Sequence, residues 1–274
     1  MNPENGLHDE DFKLLYTYMK DRFGIDLEKK RALVEGRLSN SVAQSPFNNY
    51  HDFIADALDD RTGTKVDSLI IRLTTNYTYF MREETHYRFM RTTALPEWTK
   101  KIKNYDLRVW SAGCSSGEEA YTIAMTLDDY FGFNKPQWDC SVLATDISQS
   151  VLEKAKNGIY PSEHLAQINP AWRKKYFVPC GGDNWQIRDE LRREVIFRTF
   201  NLMGDFGIFR RKFHIIFCRN VMIYFDKPTK AELAGKFFNA LEPGGYLFIG
   251  MSETLSGIYD RFEQVQPSIY RKRV

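Results

Sequence analysis

The stretch Arg108-Val-Trp-Ser-Ala-Gly-Cys-Ser-Ser-Gly-Glu-Glu-Ala-Tyr-Thr-Ile-Ala-Met125 joins an apolar run, a turn of small residues and an amphipathic segment. The apolar run predicts a buried strand over 108–112, and the later residues predict a helix that begins at Glu118. Gly113 and Gly117 permit a sharp turn and a close approach of the main chain to a ligand. This order of strand, turn and helix is typical of nucleoside-binding α/β folds.

Two acidic residues, Glu118 and Glu119, begin the predicted helix. They suit the positive end of the helix dipole, but they would repel a pyrophosphate bound there. S-adenosylmethionine carries a sulfonium and an ammonium group, so it fits such a loop better, and we predict it as the cofactor. The turn also departs from the Gly-x-Gly-x-x-Gly spacing of dinucleotide enzymes, which makes NAD the weaker alternative.

Length and composition limit the remaining possibilities. With 274 residues the chain has room for two domains, and its net charge of +2 argues against binding a nucleic acid over the whole surface. The four cysteines are widely spaced, which predicts neither a metal site nor disulfides. The chain begins without a signal-like segment and has no apolar run long enough for a bilayer, so we expect a cytoplasmic protein that does not insert into membranes.

The predicted organisation has three parts. Residues 1–84 show helical periodicity and form a small all-α domain, and residues 85–106 form a linker helix region. From 107 to 274 strands alternate with helices, which predicts a parallel-sheet α/β domain. An insertion at about 169–199 contains two β-like runs around a Cys180-Gly-Gly-Asp-Asn184 turn and predicts a small antiparallel subdomain. The predicted strands and helices are 108–112, 118–130, 140–145, 149–156, 213–218, 229–240, 246–250 and 268–272, with a turn at 242–245.

Several polar residues follow predicted strands, at the edge of the sheet where open α/β folds bind ligands. Asp146 is predicted to bind ribose hydroxyls, although an acid at a strand end can also cap the next helix. Arg219 and Asn220 are predicted to contact the cofactor or substrate; the alternative is that Arg219 pairs with an acid and Asn220 caps a helix. Asn201 and Leu202 are predicted to border the adenine.

Before the predicted sheet, Leu73-Thr-Thr-Asn-Tyr-Thr-Tyr-Phe-Met-Arg-Glu-Glu84 places polar residues within an aromatic patch. Asn76, Thr78 and Arg82 are the candidate ligand contacts, and Arg82 could orient an acidic group. His86, His164 and His214 are interpreted as structural or exposed.

A helix is predicted through 27–38, with Leu27, Val34 and Leu38 in a core and Lys30, Arg31 and Arg37 on another face. This basic face is either a solvated surface or a docking site for an acidic partner helix.

Five segments together resemble the CheR-type chemotaxis receptor methyltransferases, and the similarity spans nearly the whole chain. They are Thr74–Arg82, Trp110–Glu119, Ala144–Asp146, Phe217–Asp226 and Gly250–Glu253. The resemblance implies a helical N-terminal domain, a Rossmann-like methyltransferase domain with an inserted β-subdomain, and methyl transfer from S-adenosylmethionine to receptor glutamates. S-adenosylhomocysteine is then the product, and no metal is required.

The resemblance also assigns roles to residues. The implied cofactor contacts are Asn76, Thr78, Arg82, Gly113, Glu118, Asp146, Asn201, Leu202, Arg219 and Asn220. Tyr224 matches a family tyrosine near the transferred methyl, which makes Arg82 and Tyr224 the candidate catalytic residues. The implied partner is the helical bundle of a chemoreceptor's cytoplasmic part, bound through the basic face by a monomer recruited to receptor arrays.

The turn at Val178–Asn184 is shorter than the loop through which some family members bind a receptor's C-terminal peptide. The chain is therefore more similar to the members that act without this peptide. Two alternatives stay open: a catalytically silent module that binds S-adenosylmethionine or S-adenosylhomocysteine, and a methyltransferase acting on another signalling protein, a small molecule or a nucleic acid. The near-neutral charge makes a nucleic acid the least favoured of these.

Overall fold

The computed structural model describes residues 6–75 and 77–273, so the predicted cofactor residue Asn76 lies outside the described residues. The chain divides into two compact units, Met1–Tyr77 with Tyr224–Thr229, and Thr78–Ile223 with Lys230–Val274. The division thus falls at Tyr77 instead of the predicted residue 84. The short segment after residue 223 joins the first unit because the Asp26 N–H donates to the Tyr224 carbonyl (2.8 Å) and Lys20 pairs with Asp226 (2.9 Å).

The first unit is helical, and its apolar periodicity accounts for its core. Its helices are α1 (Asp9–Phe23), α2 (Arg31–Gln44), α3 (Tyr50–Leu58) and α4 (Thr64–Leu73). Acidic residues in the first turn of α1 and basic residues in its last turn match the helix dipole. Asn49 caps α3 by accepting the Asp52 N–H (2.9 Å). Leu27, Val34 and Leu38 are buried, as predicted.

A seven-stranded sheet forms the centre of the second unit, in the order β6-β2-β1-β7-β8-β10-β9. The first five strands in this order are parallel, and β10 and β9 are antiparallel to their neighbours. This confirms the predicted Rossmann-like α/β class. The sheet strands are β1 (Val109–Ala112), β2 (Val142–Asp146), β6 (Val195–Thr199), β7 (Phe213–Cys218), β8 (Leu241–Ile249), β9 (Phe262–Gln266) and β10 (Ile269–Lys272).

Helices accompany this sheet, and three of them lie nearly where the sequence predicts helices, at 118–130, 149–156 and 229–240. The helices are α5 (Glu84–Phe89), α6 (Leu95–Lys101), α7 (Glu118–Phe131), α8 (Gln149–Asn157), α9 (Pro170–Tyr176), α10 (Asp189–Arg192) and α11 (Lys227–Ala240). A π-helical turn, Met90–Ala94, joins α5 to α6. The predicted linker region is therefore a helix of the second unit up to Lys101, because its apolar residues enter the core around the sheet. In the described parts of the chain, no helix is long and apolar enough to cross a membrane.

Aromatic packing fixes the central strand β1 in the sheet. The Trp110 side chain is fully buried among the rings of Phe206, Phe209 and Phe213, at centroid distances of 5.3, 4.8 and 5.1 Å. Its indole N–H donates to Thr145 Oγ1 of β2 (2.9 Å). A large ring with a satisfied polar atom holds the position of β1, and so of the loop that follows it.

A second, three-stranded antiparallel sheet confirms the predicted subdomain but corrects its bounds. Its order is β3-β5-β4, where β3 is Ile159–Pro161, β4 is Phe177–Gly181 and β5 is Asn184–Ile187. The insertion thus begins ten residues before the predicted 169, and Val195–Thr199 is not part of it. Val195 and Phe197 are buried and pair in parallel with β2, because their alternation lets them join the core of the main sheet as its edge strand.

The predicted turn at 242–245 lies inside β8 instead of before it. Leu241 pairs with Phe213, whereas Tyr246 pairs with Ile215, so the register shifts between these pairs. The Glu242-Pro-Gly-Gly245 segment is therefore an irregularity within a strand, because Leu241 already has a partner on β7.

Candidate cofactor site

Four neighbouring parallel strands bring most of the predicted cofactor residues to one edge of the sheet. Gly113 follows β1, Asp146 ends β2, Arg219 follows β7, and Asn201 comes two residues after β6. Because β6, β2, β1 and β7 are adjacent and parallel, their carboxyl ends lie at the same edge. The chain order reverses at β1, which is where open α/β sheets bind ligands.

The glycine loop, Gly113–Gly117, is held close to β2 and leaves no room for side chains at its ends. The Gly113 and Cys114 N–H groups both donate to the Thr145 carbonyl, at 2.8 and 2.9 Å. Gly113 has φ +87°, and a Cβ there would lie 2.5 Å from Val221 Cγ2. Gly117 has φ +96°, and a Cβ there would lie 2.8 Å from the Cβ of Ala155. Both positions therefore require glycine.

Asp146 fixes the middle of this loop. Its Oδ2 accepts the Ser115 N–H (2.9 Å), and its Oδ1 accepts the Ser148 N–H (3.0 Å). The helix cap of α8 is Ser148 itself, whose Oγ accepts the Val151 N–H (3.3 Å). Asp146 is therefore not the cap of α8, and its role as a ribose ligand stays a prediction.

Glu118, the first residue of α7, is completely buried and has two side-chain partners. Its Oε2 accepts the Ser116 hydroxyl (2.7 Å), and its Oε1 lies 3.0 Å from His164 Nδ1. This hydrogen bond raises the pKa of His164. The sequence interpretation missed His164 as a neighbour of the site, because 46 residues separate it from Glu118 and no motif connects them.

Glu119, the next residue, points to a different group. Its Oε1 accepts the Ser111 hydroxyl (2.7 Å), and its Oε2 accepts from Arg219 Nη1 (3.1 Å). Burial raises the pKa of Glu119, although Arg219 and Ser111 act against this. The same Arg219 nitrogen donates to the Tyr87 hydroxyl (2.8 Å), and Arg219 Nε donates to Glu83 Oε2 (3.2 Å). We call Glu83, Tyr87, Glu119 and Arg219 the Arg219 cluster.

In this cluster Arg219 pairs with acids, which is the alternative left open by the sequence. The Arg219 side chain is only 2% exposed. Burial acts to lower the pKa of its guanidinium, but Tyr87, Glu119 and Glu83 outweigh burial and raise it. A direct contact of Arg219 with the cofactor stays a prediction.

Asn220 adopts a left-handed conformation, with φ 59°, and is held by an acid that the site prediction did not include. Glu253 Oε2 accepts the N–H groups of Asn220 (3.0 Å) and Gly250 (2.6 Å). Its Oε1 accepts the Ile223 N–H (3.1 Å). Burial raises the pKa of Glu253 despite these donors. Glu253 therefore shapes the main chain after β7.

Three other predicted cofactor residues lie in the second unit, and their contacts with the cofactor stay predictions. Thr78 and Arg82 are half-buried, and Leu202 is buried. Asn201 Oδ1 accepts the Met203 N–H (2.9 Å), so this side chain shapes the loop after β6.

Tyr224, predicted to be catalytic, belongs to the first unit. Its hydroxyl accepts the Thr75 N–H (2.7 Å) and donates to the Thr75 carbonyl (3.0 Å). The hydroxyl is thus fixed by the segment that precedes Asn76.

The donors and acceptors of the glycine loop fit a nucleoside that carries positive charge. Ser115 Oγ is buried and has no hydrogen-bond partner among the described residues, which marks a polar position that a ligand can satisfy. Two carboxylates, Glu118 and Asp146, flank the loop, and they can accept from hydroxyl or ammonium groups. S-adenosylmethionine offers both kinds of group.

The comparisons with known proteins agree with this chemistry. Residues 76–271 match the family model described as CheR methyltransferase, SAM binding domain. The chain belongs to the CheR methyltransferase family. Its cofactor is S-adenosylmethionine, the ligand in the description of the matched domain.

Two chemotaxis protein methyltransferases are similar to this chain over almost their whole lengths. A chemotaxis protein methyltransferase of Borreliella burgdorferi is 41% identical over 268 residues, which cover 96% of this chain and 94% of that protein. The chemotaxis protein methyltransferase Cher2 of Pseudomonas putida is 33% identical over 262 residues, covering 94% of this chain and 95% of that protein. The similarity therefore includes both units.

Proposed function

We propose that this chain transfers the methyl group of S-adenosylmethionine to the side-chain carboxylates of glutamates in chemoreceptors, forming methyl esters. The observation that carries this proposal is the acidic, glycine-lined loop at the switch point of the sheet, together with similarity to named chemotaxis protein methyltransferases over both units. The bound cofactor would supply an electrophilic methyl on a sulfonium. The activity would belong to chemotaxis adaptation, in the cytoplasm at receptor arrays.

In this proposal the residues of the second unit hold the cofactor by its charges and hydroxyls. Asp146 and Glu118 accept from the nucleoside hydroxyls, and Ser115 Oγ gains the partner that it lacks among the described residues. Asn201 and Leu202 border the adenine. Thr78, Arg82 and Asn220 contact the amino-acid part of the cofactor, for which Arg82 supplies the positive charge that its carboxylate needs.

The chemistry asks for positioning more than for proton transfer. A glutamate side chain has a pKa of about 4.3, so it is already a carboxylate at neutral pH and needs no general base. The protein must remove water from this nucleophile and align it with the methyl group without pairing it too strongly. Arg82 and Tyr224 are the proposed orienting groups, and the two bonds between Tyr224 and Thr75 support a fixed hydroxyl.

The receptor would dock on the basic face of the first unit. Lys30, Arg31 and Arg37 are partly exposed, but Arg31 already pairs with Asp9 and Glu35, and Arg37 donates to Thr75 Oγ1 (2.7 Å). These internal bonds reduce the charge that the face offers, so we propose weak, salt-sensitive docking of a monomer.

We propose further that docking does not use a receptor's C-terminal peptide. In support of this, β4 and β5 are joined by a short turn at Gly182 and Asp183. Calorimetry with such a peptide should give no detectable heat of binding, and clear micromolar binding would overturn this part of the proposal.

The decisive experiment incubates the full chain with S-adenosylmethionine and a receptor cytoplasmic fragment. Mass spectrometry should then find base-labile methyl esters on glutamate-containing peptides, and the Arg82→Ala variant should form far fewer. Cofactor binding without any methyl ester would instead favour the catalytically silent module. If a different signalling protein were methylated under the same conditions and the receptor fragment were not, the chain would still be a methyltransferase, but the proposed substrate would be wrong.

A further inference from the structure

The turn that carries Arg82 has an uncommon backbone. Met81 has φ 62° and Glu83 has φ 58°, so two residues with side chains adopt the left-handed conformation on either side of Arg82. This conformation is disfavoured outside glycine and persists where the surroundings impose it. Contacts with neighbouring groups must therefore hold Met81 and Glu83 in this conformation.

The turn is held by Arg219 and by Glu83 itself. Arg219 Nη2 donates to the Arg82 carbonyl and lies 3.1 Å from Glu83 Oε2, which also accepts from Arg219 Nε. The other oxygen of Glu83 accepts the Met251 N–H (3.2 Å). Glu83 thus connects the turn both to the residue after β7 and to the loop after β8.

The far side of the guanidinium is occupied as well. Its Nη1 donates to Tyr87 Oη and to Glu119 Oε2, and Glu119 is itself held by Ser111 of β1. An arginine has five N–H donors in a rigid fork, and here Nε and both Nη atoms have protein partners. The guanidinium is therefore fixed at both ends and engaged by protein groups.

We propose that Glu83 and Arg219 form a buried clamp that positions Arg82. In contrast to the cofactor contact predicted from the sequence, the side chain of Arg219 is then a positioning group and not a ligand of the cofactor. The proposal rests on the proposed contact between Arg82 and the cofactor. Tyr87 and Glu119 anchor the clamp to the sheet side of the unit, and Met251 anchors it to the loop after β8.

Substitution of Glu83 tests the clamp because a glutamine cannot replace it there. Both carboxylate oxygens of Glu83 accept N–H groups, so the amide nitrogen of a glutamine would face a donor whichever way it turned. The matched control is Glu84→Gln, the same change at the exposed neighbouring residue. Thermal unfolding would first establish that both variants are folded.

The measurement is the affinity for S-adenosylhomocysteine by calorimetry, without any receptor. Glu83→Gln should weaken binding about tenfold, a loss of about 1.4 kcal/mol, while Glu84→Gln leaves it unchanged. If Glu83 acts through Arg82, adding Glu83→Gln to an Arg82→Ala variant should lower the affinity for S-adenosylhomocysteine by less than about twofold. A purely structural role would give the same loss in both backgrounds.

Three results would overturn the proposal: unchanged affinity in folded Glu83→Gln, equal losses in the two backgrounds, or an equal loss in Glu84→Gln. Since no receptor is present, the outcome does not depend on methyl transfer to glutamates. A failure of the proposed function would appear only in the methylation experiment.

Discussion

Glu118 and Glu119 are neighbours at the start of α7 and are both buried, yet they are held by different kinds of partner. Glu118 lies between a serine hydroxyl and a partly exposed histidine, whereas Glu119 lies between a serine hydroxyl and the buried guanidinium of Arg219. Two successive helical residues point about 100° apart, so one can border the glycine loop while the other joins the Arg219 cluster.

The difference separates residues that meet a ligand from residues that hold the site in shape. The glycine loop contains a buried hydroxyl that lacks a partner among the described residues. In the Arg219 cluster, each charged group has an opposite charge or a hydrogen-bond partner. We expect changes in the first region to act on cofactor affinity directly, and changes in the Arg219 cluster to act on it only where they move Arg82.

The largest effect is expected at Gly113. Gly113→Ala should weaken S-adenosylhomocysteine binding about a hundredfold, because the added Cβ meets Val221 and the loop must move away from its place beside β2. Calorimetry measures the loss. Gly36→Ala is the matched control, since a Cβ there meets nothing within 4 Å, and equal losses in the two variants would mean that the loop geometry does not matter.

A smaller effect is expected at Asp146. Asp146→Asn should weaken binding about tenfold, because an amide can keep only one of the two bonds to the Ser115 and Ser148 N–H groups and cannot accept as strongly from ribose hydroxyls. The control is Asp21→Asn at an exposed position of α1. An affinity within twofold of wild type would remove Asp146 from the proposed site.

The smallest effect concerns the partner of Glu118. The bond to Glu118, with a contribution from Glu163, raises the pKa of His164 in the folded chain. The protonated His164 therefore stabilises the folded chain fully at pH values below the pKa of an unfolded histidine, and this stabilisation is lost as the pH rises through the raised pKa. Because one third of the His164 side chain is exposed, solvent screening limits the contribution of this pair to the free energy of unfolding to about 0.5 kcal/mol. His164→Asn should therefore destabilise the chain more at pH 6 than at pH 8.5.

Denaturant unfolding at the two pH values measures this difference. A pH-independent loss in His164→Asn would show that charge on His164 does not reach Glu118.

The sequence was sufficient to predict that several candidate site residues lie together at the ends of strands. Gly113, Asp146, Arg219 and Asn220 each end or follow a strand of the main sheet, and parallel pairing brings such positions together whatever loops lie between. Apolar runs and glycine turns are local signals, so they could be located without knowledge of the fold.

The remaining contacts join residues that are far apart in the chain, and local patterns do not encode them. Arg219 and Glu83 are 136 residues apart, and His164, in the turn after β3, reaches Glu118 across 46 residues. The same limit explains Val195–Thr199, where alternation predicted a strand but only pairing with β2 assigns it to the main sheet. Tyr224 similarly needs its bonds to Thr75 to be placed in the helical unit.

The central claim is that Glu118 meets the cofactor and Glu119 does not, and one pair of variants tests it. In Glu118→Gln and Glu119→Gln the amide can keep both existing bonds, since each pairs with a hydroxyl that can reverse its role, so both variants should unfold near the wild-type temperature. Calorimetry with S-adenosylhomocysteine should show a loss of about tenfold in Glu118→Gln and no more than about twofold in Glu119→Gln. Unchanged affinity in Glu118→Gln, or an equal loss in both, would contradict the account.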